Sequence, residues 1–185
     1  MKTTQTIAFC AAIGLLSSGG FTETKAQTED SNYILVDEDS LVDLGVAEAK
    51  ETIADFDHAF KNRDDSMTEF AVKKPFPYGD GSHEHMWVAV TEVTPEGYQG
   101  YLNNTPYDAT YVEIGQEMFV KRDEISDWMY NKDDKLIGGY TIAAIVFESP
   151  PEQRAAYSKQ MGIDWKRYKF LSKPIKEEME ARKKK

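Results

Sequence analysis

Between Phe70 and Phe147 the apolar residues come in short alternating runs, each cut off by proline or glycine. Alternation with a period of two is the signature of half-buried strands, and it constrains the chain more than any other feature. Phe70, Val72 and Phe76 face one way and Ala71 and Lys73 the other; Pro75 and Pro77 make this an edge strand or a strand end, because proline cannot donate to a ladder. Residues 84–94 give a second strand, with Met86, Val88 and Val90 on one face and Trp87, Ala89 and Val93 on the other. Pro95-Glu96-Gly97 is a hairpin turn, residues 98–103 return, and 118–121 form a fourth strand. Asp123 caps one short helical turn carrying Ile125 and Trp128, and 131–134 is a polar turn. The longest strand candidate is 136–148. Its second half, Ile142 to Phe147, is apolar on both faces, which predicts a central strand, and Gly138-Gly139 predicts a bulge or the close approach of a backbone or ligand.

Helical periodicity flanks this region. Asp39 or Ser40 suits an N-cap, and Ala49, Ile53, Phe56 and Phe60 follow in steps of four, three and four, an amphipathic stripe that ends in the polar residues 62–65. His58 falls on the polar side of that stripe. Ser149-Pro150-Pro151-Glu152 opens a second helix, and Gly162 is a natural residue just past its end. Trp165 and Tyr168 pack back onto the domain; Pro174 restarts a short helix that finishes in Arg182-Lys183-Lys184-Lys185. One helix before and one after about five antiparallel strands is an α+β class. The short strands and glycine bends suit a small curved sheet, with an SH3-like partial barrel as one form. With 185 residues the chain holds one domain at 39–162, a leader at 1–26, a flexible segment at 27–38 and a basic helical tail at 163–185.

The leader is read as an export signal. Lys2 precedes an apolar core from Ile7 to Leu16, too short to span a bilayer, and Thr24 and Ala26 place small residues before a cleavage site at Gln27. Cys10, the only cysteine, lies inside the apolar core behind a bulky Phe9, which argues against a lipid anchor. The mature chain would contain no cysteine and no transmembrane segment, and it would rest in the periplasm or outside the cell, held together by its core rather than a disulfide. Its formal charge, −10 for the whole chain, argues against nucleic acid and favours a basic partner. The tail from Lys166 runs the other way and is basic.

Five blocks in order carry a resemblance: Phe70-Ala71-Val72-Lys73-Lys74-Pro75-Phe76, Glu84-His85-Met86-Trp87-Val88, Gly100-Tyr101-Leu102-Asn103-Asn104, Ile125-Ser126-Asp127-Trp128-Met129-Tyr130 and Gly138-Gly139-Tyr140-Thr141. With this order and spacing, roughly residues 40 to 160 resemble the YegJ-like family of bacterial proteins. The resemblance implies a fold and no chemistry, since that family is one of unknown function with no catalytic residues to carry over.

Candidate site residues therefore come from the residues themselves. In a strand His83 and His85 share a face, so with Asp80 they could meet a metal ion; a closed zinc site wants four ligands, and the remaining histidine is on a helix. Hence no metal and no cofactor is expected. No Gly-x-Ser-x-Gly elbow, mature cysteine or P-loop supports covalent catalysis. Asp127 is the best single candidate for a shifted carboxylate, against the plainer roles of capping a turn or pairing with a cation. Trp87, Tyr101, Trp128, Tyr130 and Tyr140, beside Gly138 and Gly139, form the candidate ligand-binding set if exposed on one face, and core otherwise. The resulting expectation is an exported, non-catalytic domain that binds a protein or cell-envelope ligand, an immunity-type role being one version. The alternative is a small envelope hydrolase using a metal or carboxylates.

Overall fold

The computed structural model describes residues 5–8, 33–36, 41–79 and 81–172. The proposed leader (apart from 5–8), most of 27–38, Asp80 and the tail beyond 172 lie outside the described residues. The elements are β1 (Gln5–Ala8), β2 (Tyr33–Val36), α1 (Leu41–Glu51), α2 (Ile53–Lys61), β3 (Met67–Tyr78), β4 (Ser82–Val93), β5 (Gly97–Leu102), β6 (Glu117–Lys121), β7 (Asp127–Lys132), β8 (Lys135–Gly138), α3 (Tyr140–Glu148) and α4 (Pro151–Gln160). Single 3-10 turns follow β6 at 122–124 and α4 at 165–167 and 169–171.

The fold is α+β, as the pattern predicts. Six antiparallel strands run in the order β6-β5-β4-β3-β7-β8, and β1, parallel to β4 and paired on its far side with β2, lies against residues 83–85 of β4. The sheet is open: β6 and β8 end it without pairing to each other. Six strands stand where about five were expected. The extra one is β7, since the turn expected around Ile125 and Trp128 shrinks to 122–124 and Trp128 belongs to a strand.

Register fixes the two faces. Val72 pairs with both Val88 and Trp128, and Val88 with Leu102, so these residues share one face. Ala71 pairs with Ala89 and Met129, and Lys73 with Trp87 and Asp127, on the other. Phe56 and Phe60 of α2 close the first face, meeting Phe70, Tyr98 and Trp128 with ring centroids 5.3–5.8 Å apart. Such aromatic contacts add about 0.5–1.5 kcal/mol each beyond area burial. Arg122 ties the same helix to the sheet by donating to Asp57 Oδ2 and Tyr98 Oη.

Two expectations need correcting. The amphipathic stripe of 39–62 is two helices, interrupted at Thr52. That hydroxyl turns back to donate to Glu48 O and also accepts from Trp128 Nε1, so the indole from the sheet occupies the break. The second correction concerns 136–148, predicted as one long strand. The strand ends at Gly138, and Tyr140–Glu148 is the helix α3. A short run apolar on all sides fits a buried helix as well as a buried strand, and here eight of its nine residues are buried. Gly138 and Gly139, at φ 73° and 61°, turn the chain out of the sheet in a conformation that side chains with a Cβ rarely adopt. The expected bulge is this turn. The later helix ends as anticipated, with Gly162 at φ 62° just past α4, and Tyr168 is buried while Trp165 packs on Phe147.

A Cβ at Gly138 would collide with the carbonyl and ring of Trp128, whereas at Gly79, also at positive φ, it would meet nothing. Gly138→Ala should therefore cost at least about 3 kcal/mol in urea denaturation, and Gly79→Ala only about 1 kcal/mol. Equal losses at both would contradict the close packing of Gly138 on Trp128.

Candidate functional site

The face opposite α2 is divided by Trp87. On one side of it lies a sealed polar cluster. Asp127, with no exposed surface, accepts from four donors: the N–H groups of Trp128 (2.8 Å), Tyr140 (3.1 Å) and Thr141 (2.8 Å), and the Thr141 hydroxyl (2.6 Å). It thus caps α3 from another element, where a carboxylate also meets the positive end of the helix dipole. Lys73 is 1% exposed; its ammonium donates to Thr141 Oγ1 at 2.9 Å and lies 4.7 Å from the centre of the Trp87 ring. Burial pushes Lys73 down to about 8, with the Asp127 charge opposing, and burial pushes Asp127 up, with Lys73 and its hydrogen bonds opposing. Both sequence readings of Asp127 are met: burial shifts its carboxyl upward, and it caps a helix and faces a cation. The Thr141 hydroxyl has its proton on Asp127 and a lone pair on Lys73, so it is not free to act as a nucleophile.

His85, on the same face, shares a hydrogen bond between Nδ1 and Ser126 Oγ at 2.9 Å. Burial, then the nearby Lys73 and His83, push it down to about 3, so the imidazole is neutral. Glu84, on the opposite face and fully buried, accepts from the N–H groups of Tyr107, Asp108 and Ala109 and fastens the loop after β5. Asp80 lies outside the described residues, and among those described no group of three or more His, Cys, Asp or Glu is placed to hold a metal ion.

On the other side of Trp87 a cavity of about 710 Å³ opens. Its floor is sheet: Ala71, Ala89, Trp87 and Met129, with Leu136, Ile142 of α3 and Met161 beyond α4 as walls. Two alanines paired across β3 and β4 leave the space that larger side chains would fill. Asp65, Glu69, Asp133 and Asp134 stand at its mouth, all exposed, with Ser66, Thr68, Asn103, Asn131 and Gln160; no Lys, Arg or His lines it. Asp133 and Asp134 hold φ 50° and 59°, the two-residue turn that suits the twist of the β7–β8 hairpin. Glu69, at φ 56°, sits where the β3–β7 register shifts between Thr68 and Ala71, and Asn131 Nδ2 donates to its carboxylate.

The candidate ligand set is spread over this frame. Trp87 (2% exposed) faces the cavity side, while Trp128 (2%) packs on α2 and its Nε1 donates to Ala49 O at 3.0 Å. Tyr130 stacks on Phe70 and Trp128, and Tyr140 is buried against Trp128 and Tyr168. Gly138 and Gly139 are buried in the turn into α3. Tyr101 alone of the five rings is widely exposed, at 45%. It pairs with Ala89, so it continues the cavity face towards β6, whose Phe119 is 43% exposed. Sequence reasoning missed the rim carboxylates and Lys73. The aspartate pair was visible as a turn, and Lys73 as a cation in an otherwise apolar strand, but no local signal sets Glu69 at the rim.

The family described as "Uncharacterized protein conserved in bacteria (DUF2314)" matches residues 39–165. The chain belongs to that family. It is 40% identical over 92 residues to the uncharacterized protein YegJ of Escherichia coli (strain K12), covering 50% of this chain and 59% of YegJ. It is 37% identical over 105 residues to the putative ankyrin repeat protein NMB1133/NMB1171 of Neisseria meningitidis serogroup B, covering 54% of this chain and 41% of that protein. The chain thus spans about half the length of these curated relatives. No solved structure matches it. The cavity floor and the sealed cluster both fall inside the family match.

The neutral His85 makes a pH prediction. Its folded pKa lies below the ordinary 6.5, so its contribution to stability is fully present above 6.5 and is lost as pH falls towards 3. Compared with His85→Asn, the native chain should lose up to about 5 kcal/mol more across that window, measured by urea titrations at stepped pH. Parallel curves for the two proteins would contradict the buried, neutral imidazole.

Proposed function

We propose that the chain is an exported, non-catalytic binding domain that receives a ligand, presented by a protein or by the cell envelope, on the sheet face opposite α2. The observation that carries this reading is the cavity: an apolar floor built on rigid strands, with polar groups at the mouth, is the common form of a binding site. Against catalysis, the groups with shifted pKa on this face, Lys73, Asp127 and His85, lie in the sealed cluster at under 10% exposure, with Lys73 and Asp127 hydrogen-bonded to Thr141 and His85 to Ser126. Tyr101 extends the surface beyond the cavity and is the member of the sequence-derived set best placed to touch a ligand.

Export rests on the charged start, the short apolar core and the small residues before Gln27. Among the described residues no helix is long and apolar enough to cross a membrane. Mass spectrometry of protein from the native host should find a mature N-terminus near Gln27; an intact Met1 in the cytosolic fraction would refute export.

A photoreactive side chain at Asn103, on the cavity wall, should trap a discrete partner in living cells, while the same group at the exposed Glu92, outside the cavity, should not. Ala89→Trp, which fills the floor, should abolish the Asn103 product. Equal trapping from both positions, or a product indifferent to Ala89→Trp, would place binding elsewhere.

A further inference from the structure

We infer that the occupant of the cavity is the basic side chain of a partner protein, a lysine or arginine whose aliphatic stem lies on the alanine floor and whose charge ends among the rim carboxylates. This rests on the binding reading above and names the ligand chemistry of the same site.

Three features of the cavity select that chemistry together. Its charge has one sign, since Asp65, Glu69, Asp133 and Asp134 line the mouth and no basic residue does. The net charge there repels an anionic glycan or phosphate, whereas a cation is drawn in. Its floor is apolar, so a small hydrated metal ion would leave that surface unused, while a lysine or arginine stem covers it. The third feature is the open sheet beside it: Tyr101 pairs with Ala89 of the floor, and Phe119 lies one strand further out. An exposed tyrosine and phenylalanine next to a pocket are the residues a protein surface uses for its central contacts. A free polyamine would fill the cavity and leave those rings uncovered; a peptide segment engages both.

The buried Lys73 does not oppose such a ligand. Its charge faces Asp127 and the Trp87 ring on the sealed side, so the inner pair is compensated before the outer carboxylates are counted.

The test uses the full mature domain and two blocked hexapeptides, one with a lysine and an arginine flanked by leucine and phenylalanine, the other with both basic residues replaced by glutamine. Titration followed by amide NMR should show the basic peptide binding with shifts at Ala71, Ala89 and Met129, and the neutral peptide at least tenfold more weakly. Glu69→Gln with Asp134→Asn should weaken the basic peptide about tenfold. Glu51→Gln with Glu92→Gln, which removes the same charge from exposed positions outside the cavity, should leave it unchanged. If the neutral peptide bound equally well at the same amides, the cation would be wrong while the cavity reading survived. If the two charge pairs acted alike, the attraction would be one of net charge only and the inference would fall. If neither peptide moved those amides and Ala89→Trp left in-cell trapping intact, the inference and the binding reading would fall together.

Discussion

The carboxylate of Asp127 has no exposed surface, and four hydrogen bonds replace the water it lost. Hydrogen bonds to a charged group are worth about 1.5–3 kcal/mol each, but their arrangement matters more than their sum. One donor belongs to the strand that carries the aspartate; the others belong to the first two residues of α3. Once Gly138 and Gly139 have turned the chain out of the sheet, this one side chain caps the helix that starts at Tyr140 and ties it to β7. Remove it and the first turn of α3 loses its cap while the Lys73 ammonium is left with one hydroxyl and a ring. Losing one partner of a buried pair typically costs about 3–5 kcal/mol.

Trp87 separates two regimes on one face of the sheet. Its ring takes the Lys73 cation on the sealed side and contributes to the cavity on the other. On the sealed side Lys73, Asp127 and His85 each have a hydrogen-bond partner, and His85 stays neutral first because it is buried and then because a second positive charge beside Lys73 is unfavourable. On the open side the carboxylates are solvated and carry no such compensation. The same strand pair, β3 and β4, supplies both: Lys73 opposite Trp87 in one register position, Ala71 opposite Ala89 in the next. A sheet alternates faces every residue, so two steps along a strand turn a closed, stabilising cluster into an open, receptive floor.

Much of this was legible in the sequence, and the failures have physical causes. The strands from 67 to 102 follow from period-two alternation, and the face assignments of Phe70, Val72, Ala71 and Lys73 agree with the register. α4 follows from proline at its start and glycine after its end. The strand read into Ile142–Phe147 was a helix because burial on all sides erases periodicity. The cap that starts it comes from Asp127, thirteen residues earlier, where no local signal could reveal it. The candidate ring set could not be resolved because Trp128 and Trp87 are equally apolar in sequence, yet their strands place them on opposite faces. The rim is invisible for a different reason. It is assembled from β3, the 64–66 turn and the β7–β8 hairpin, and its carboxylates look locally like any solvated acids.

The backbone at that rim is unusual. The three residues other than glycine with positive φ among those described are Glu69, Asp133 and Asp134, and all three line the cavity mouth. For the two aspartates this is the ordinary demand of a two-residue hairpin, and aspartate tolerates it. Glu69 has no such excuse: a glutamate in the left-handed region costs roughly 1–2 kcal/mol. It is held there by the irregularity in the β3–β7 ladder and by the Asn131 amide donated to its carboxylate. A glycine at 69 would relieve the strain and keep the bulge, but it would take away a charge that the mouth has and the floor lacks. Backbone strain of this kind persists where the surroundings over-determine it. Here the surroundings are β3 and β7, and two residues further along β3 Ala71 pairs with Ala89 of β4 to leave the floor empty, so the strained carboxylate and the empty space adjoin on one strand.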